Sequence, residues 1–200
     1  MTKVTSWIFR AIAASALVLS AGASAGTLTG SVSVDNGYTM YISTSNTVAG
    51  TAIGSGNNWG ATYTHNTALA AGTTYYLHVY GYDQGGVAGF LGEFSLAGGT
   101  HQFSNNGTFL TTNATDWMAN TTGFGNAYSA VSTHGNDGVA PWGFRPNIAD
   151  SATWIWSGNS DLNNTSYFTT TIRAVPEPGS VALLGLGLMG LFAARRRKAK

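Results

Sequence analysis

Four histidines, His65, His78, His101 and His134, are the only imidazoles of this chain, and it has no cysteine. Thiolate zinc sites, cysteine nucleophiles and a disulfide scaffold are therefore excluded. The histidines show neither zinc-type spacing nor a neighbouring Glu-x-x-His, so they point to no metal-assisted hydrolysis. Two glycine strings resemble catalytic signatures: Gly22-Ala23-Ser24-Ala25-Gly26, and Gly185, Gly187 and Gly190 in Gly-x-Gly-x-x-Gly spacing. The first straddles a run of small residues near the N-terminus. The second lies in an apolar tail with no strand before it. Both are chance matches rather than a nucleophile elbow and a phosphate loop. No catalytic residue is assigned, and the expectation is a protein that is not an enzyme.

Flat rings beside amides offer a different chemistry. Trp59 in Gly56-Asn57-Asn58-Trp59-Gly60 and Trp142 in Pro141-Trp142-Gly143 sit in loop-like sequence. Exposed, such rings stack on the C–H faces of sugars while polar neighbours fix the hydroxyls, and conspicuous exposed apolar groups tend to mark contacts. Trp59 and Trp142 are the candidate glycan-binding residues. Trp154 and Trp156 are expected in the core instead. Asp35 with Asn36, and Asn136 with Asp137 before Gly138, offer oxygen ligands for calcium, but neither turn has the twelve-residue EF-hand pattern. Asp and Asn in turns ordinarily bond to backbone, so no metal site and no cofactor are assigned.

The elements that must carry these residues alternate with a period of two. Ser31-Val32-Ser33-Val34 and Tyr38-Thr39-Met40-Tyr41-Ile42 flank Asn36-Gly37, a pair that reads as a hairpin because both residues tolerate positive φ. Residues 73–82 alternate, with Tyr75, Leu77 and Val79 on one face and Tyr76, His78 and Tyr80 on the other. Residues 90–96, 153–156 and 167–172 are further strands. Gly- and Asn-rich clusters at 54–60, 85–86, 98–99, 105–107 and 135–138 read as turns, and 116–119 as a short helical turn. The fold class is all-β, an antiparallel β-sandwich.

Both ends of the chain are addresses rather than fold. Lys3 and Arg10 precede an apolar stretch at 11–21, and Ala23 and Ala25 supply the small residues a signal peptidase needs, so cleavage is expected after Ala25. At the other end, Pro176-Glu177-Pro178 stands before an apolar run at 181–194 and the basic residues Arg195, Arg196, Arg197 and Lys198. That run is about 21 Å long as a helix against roughly 30 Å of hydrocarbon, so it just crosses a membrane when counted from Gly179 with the arginines snorkelling. The basic stop stays cytoplasmic and the remainder lies outside. The chain thus divides into a signal peptide at 1–25, an exported domain at 26–174 and a tail at 175–200. A permanent single-span anchor is the alternative reading of the tail; a transient one follows the logic of removable hydrophobic tails.

Between the addresses, Arg145 and Arg173 face seven acids, for a formal charge of −5, although the whole chain carries +1. An acidic domain with two separated arginines has no electrostatic footprint for DNA or RNA.

The tail as a whole resembles the PEP-CTERM sorting signal. The resemblance implies an exported protein of a Gram-negative bacterium that makes extracellular polysaccharide, and recognition by an exosortase that cleaves near Pro176, Glu177 and Pro178. More loosely, Asp35-Asn36-Gly37-Tyr38, Ala71-Gly72-Thr73-Thr74-Tyr75, Gly85-Gly86-Val87-Ala88-Gly89-Phe90 and Thr153-Trp154-Ile155-Trp156 are similar to galactose-binding-like jelly-roll modules, which implies glycan-binding or accessory roles. The function expected is a structural or adhesive protein of the cell envelope or extracellular matrix, associated with exopolysaccharide. A lectin-like carbohydrate-binding module is the alternative, and a secreted hydrolase whose site assembles only in space is the third reading.

Overall fold

The computed structural model describes residues 25–176, Gly179, 183–188 and Gly190. The signal-peptide assignment with Ala23, the motif residues Glu177 and Pro178, and the basic stop lie outside the described residues. Thirteen strands run in order: β1 (Gly26–Asp35), β2 (Gly37–Ser43), β3 (Thr51–Gly56), β4 (Tyr63–Leu69), β5 (Tyr75–Tyr82), β6 (Gly89–Ala97) and β7 (His101–Phe103). They continue as β8 (Phe109–Thr111), β9 (Met118–Asn120), β10 (Ser129–Ala130), β11 (Ser132–Asn136), β12 (Thr153–Trp156) and β13 (Thr165–Ala174).

Two antiparallel sheets form from them. The first has the order β11-β12-β6-β1-β4, with β8 beside β6; the second has the order β10-β9-β13-β5-β2-β3, with β7 beside β13. The alternation read in the sequence sets the faces. Leu28, Val32 and Val34 of β1, Tyr38 and Met40 of β2, Leu77 and Val79 of β5 and Phe168 and Ile172 of β13 are buried between the sheets. Aromatic rings fill the centre: Phe90 meets Trp117 edge-on at 5.2 Å and Phe168 at 4.9 Å, and Trp156 closes on Phe168 at 5.6 Å. Edge-to-face packing suits the quadrupoles of the rings, and each ring removes a large apolar area from water.

Three expectations are corrected. Asp35-Asn36-Gly37 is not a hairpin, because β1 pairs with β4 and β6 whereas β2 pairs with β3 and β5. The chain turns there from one sheet into the other, since Val34 and Tyr38 must both reach the same core. The corner is stitched to the end of β5, where Asn36 N donates to Tyr82 O at 2.7 Å and Gln84 N to Asn36 Oδ1 at 2.5 Å. The glycines of 54–60 are likewise not all turn. Gly54 and Gly56 belong to β3, where the rings of His65 and Tyr63 lie against their bare backbone. Residues 116–119 lead into β9 instead of starting a helix.

A second apolar cluster sits on the outer side of the first sheet. Leu91, Trp142, Ile148, Ala152 and Trp154 pack together there, beneath the segment 137–152 that folds back over β6 and β12.

The two ends of the sandwich lie at one pole. Gly26 rests against Thr100 and His101, Ala174 pairs with His101, and Val175 N donates to Thr100 O at 2.8 Å. Asp35 and Tyr82 mark the opposite pole, at the far end of the ten-residue β1, or about 30 Å away at the strand rise.

Candidate functional site

Two groups converge near the pole remote from the termini. The first is the Trp59 turn. Asn58 Oδ1 accepts from Gly60 N at 2.9 Å, a local bond of the kind that makes Asn a turn residue. Ser33 Oγ, on the outward side of β1, donates to Trp59 O at 2.9 Å, and Arg145 Nη1 donates to the same carbonyl at 3.1 Å. The Arg145 guanidinium also stands 5.9 Å from the centre of the Trp59 ring, within cation–π range. Trp59 keeps 39 % of its surface exposed. The ring is thus accessible while its backbone is held.

Trp142 is a correction. Its loop-like sequence led to an exposed ring, but only 2 % of it is exposed. It stacks on Trp154 at 4.4 Å with 18° between the planes, and Nε1 donates to Asp35 Oδ2 at 2.9 Å. Gly89 of β6 makes room, since a Cβ there would meet both indoles at 2.8–2.9 Å. The ring is buried because Leu91 and Trp154 present an apolar outer face that needs a cover. Trp154 and Trp156 are both buried as expected, Trp156 in the central core and Trp154 under this cover.

Arg145 links the two tryptophans. Its Nη2 donates to the Trp142 carbonyl, and its backbone N donates to both Asp137 oxygens at 3.0 and 3.1 Å. Burial pushes the Asp137 carboxyl above its ordinary value, while the N–H groups of Arg145 and Gly138 and the Arg145 charge pull it back. Asp137, whose turn offered oxygen ligands in the sequence without being assigned a metal, is occupied with backbone donors. Arg145 went unnoticed as a site residue, though it is one of only two basic side chains in 26–174.

The second group is a pair of carboxylates from distant segments. Asp35 ends β1, and Asp83 follows β5 directly. Asp83 is 7 % exposed; Gly85 N donates to its Oδ2 at 2.8 Å, while its Oδ1 is buried without a hydrogen-bond partner. Burial raises the pKa of Asp35, the Trp142 N–H lowers it, and the nearby Asp83 charge raises it further. The sequence paired Asp35 with Asn36 alone. Asp83 lies 48 positions away, and only the cross-strand register of β2 and β5 reveals it.

The histidines do not gather. His65 Nε2 bonds the Tyr38 hydroxyl at 2.8 Å, His78 Nε2 bonds Asn46 at 3.2 Å, and His101 bonds Thr100 and the Thr73 carbonyl. His134 lies 5.6 Å from the Trp142 ring. Among the described residues no three His, Asp or Glu side chains converge as a metal cluster. A separate cleft of about 210 Å³ on the second sheet is lined by Asn46, Ser104, Asp116, Met118 and Thr169 among others.

The third feature is the exit of the chain. Strand β13 ends at Ala174, Pro176 is exposed, and 183–188 are helical and exposed. Among the described residues no helix is long and apolar enough to cross a membrane, whereas the sequence placed a span over 181–194, part of which lies outside them. No curated protein and no solved structure matches this chain. The model of the PEP-CTERM protein-sorting motif matches residues 174–198, so the match begins on the last residue of the sandwich. The chain therefore carries a PEP-CTERM sorting signal, which marks an exported protein handed to an exosortase for placement at the cell envelope or surface.

Proposed function

We propose that the sandwich is a non-enzymatic structural or adhesive component of the cell envelope or extracellular matrix, associated with exopolysaccharide. The observation that carries this reading is the junction at Ala174. The sorting signal begins there, at the pole where β1 also starts, so any attachment through the tail holds the Asp35 pole outward. An aromatic core and fully antiparallel sheets give a module whose outward loops meet partners without changing the fold.

A lectin-like role is the second reading, favoured by one observation. Trp59 combines an exposed ring with a turn anchored by Ser33 and Arg145, a pre-organised stacking surface next to Asn57 and Asn58. Exopolysaccharide fragments on a glycan array, probed with the purified chain and with Trp59→Ala, test both readings together with matrix retention in a deletion strain. Loss of matrix cohesion without array binding supports the structural role, and array binding abolished by Trp59→Ala supports the lectin. Unchanged matrix and no binding refute both.

A further inference from the structure

We propose that the corner built from Asp35, Asn36 and Asp83 binds a calcium ion from the medium outside the cell, clamping the end of β1 to the end of β5. The argument starts from Asp83. Its side chain is more than nine-tenths buried, one oxygen is held by Gly85 N, and the other is sealed from solvent with no donor. A buried carboxylate oxygen without a partner is costly, and proteins resolve this with a proton, a cationic side chain or a metal.

Cationic side chains do not fill the role. Arg145 and Arg173 are the only ones in 26–174. Arg145 is engaged with Trp59, Trp142 and Asp137, and Arg173 donates to Asn106 Oδ1 at 3.3 Å. Neither hydrogen-bonds Asp35 or Asp83 among the described residues. The second carboxylate stands at the same corner, because Asn36 is tied to Tyr82 and Gln84 on either side of Asp83. Asp35 thus lies near enough to Asp83 to feel its charge, and no Lys or Arg side chain among the described residues hydrogen-bonds either carboxylate, so a divalent cation at this pole would neutralise both.

All the donors are oxygens, the set that calcium takes, with backbone carbonyls and water completing six to eight ligands. Two carboxylates are a low charge count, which places the affinity at the weak end, with Kd of about 10⁻⁴–10⁻³ M, matched to extracellular calcium. Asn36 Oδ1, already accepting from Gln84 N, has a second lone pair for the ion.

The test uses the full purified chain after chelator treatment. Calcium at about 10 mM should raise Tm by about 3–10 °C, from the mass-action stabilisation of a site of that affinity. Terbium should give luminescence on tryptophan excitation, since the Trp142 indole bonds Asp35, and calcium should displace it. In Asp83→Asn both responses should disappear. Absence of both in the unsubstituted chain overturns the proposal, and this arm stands even if Asp83→Asn does not fold. Their survival in a folded Asp83→Asn also overturns it, as does an equal Tm rise with magnesium at the same concentration.

Discussion

Replacing Trp142 with alanine asks whether the segment 137–152 is a cover or a free loop. Were the ring exposed, as its Pro-Trp-Gly context suggests, alanine would change stability by no more than about 0.5 kcal/mol. The structure gives a different figure. Truncating a fully buried tryptophan costs about 3–5 kcal/mol from lost transfer and the cavity left behind, and Trp142 is stacked face to face on Trp154. Losing the Nε1 donor also leaves Asp35 Oδ2 short of a partner, a penalty of about 1–3 kcal/mol where burial is complete and less here at a half-buried group. A loop can collapse partly into the gap, so the net expectation is about 4 kcal/mol. Domains of this size are stable by about 5–15 kcal/mol, so the loss should be plain. Urea unfolding in chelator, followed by far-UV circular dichroism to avoid the removed fluorophore, measures it. Trp142→Phe keeps one ring against Trp154 but loses the N–H and part of the buried indole, so it should cost less than Trp142→Ala, about 1–3 kcal/mol. A shift below about 1 kcal/mol for Trp142→Ala would refute the reasoning.

Stability should fall as pH drops below about 6.5, the ordinary histidine value. Burial lowers the pKa of His65, His78 and His134 in the fold, so the unfolded chain takes up protons first; for His78 the Ala49 and Val48 backbone offsets part of the effect. Their contribution is complete above that pH and is lost on acidification, whereas Asp137, raised by burial, works in the opposite sense nearer pH 4. Chemical denaturation midpoints between pH 8 and 5 check this, and a flat or rising profile on acidification contradicts it. Trp59→Ala should leave the unfolding free energy from urea titration within about 0.5 kcal/mol of the parent, since the turn is held through its carbonyl by Ser33 and Arg145. A loss above 2 kcal/mol would make Trp59 a core residue and remove it as a binding surface.

Much of the architecture was legible because strand faces are local facts. The alternation Leu77-His78-Val79-Tyr80 needs only a two-residue period, and it appears in β5 with Leu77 and Val79 inside. Phe90, Phe94 and Leu96 of β6 were equally plain. Apart from the short helical turn expected at 116–119, the failures are non-local. Asn36-Gly37 has the chemistry of a hairpin, but strand pairing is decided by which partners share the core, so the turn became a corner between sheets. Gly54 and Gly56 looked like turn residues until the rings of Tyr63 and His65, from the other sheet, needed bare backbone to rest on. Trp142 is buried by residues as far away as Leu91, through a loop whose path no periodicity encodes. The site suffers in the same way. Trp59 was found because an isolated ring among Asn and Gly is conspicuous, whereas Asp83 was hidden in the turn that follows a good strand. Arg145 could have been found as one of two basic residues in an otherwise acidic domain.

Intact-mass spectrometry of the protein recovered from the surface of cells that contain the exosortase tests the central claim most directly. A mass lacking residues 1–25 and everything beyond the Pro176-Glu177-Pro178 region is the predicted result. A mass that still includes Arg195, Arg196, Arg197 and Lys198 contradicts it.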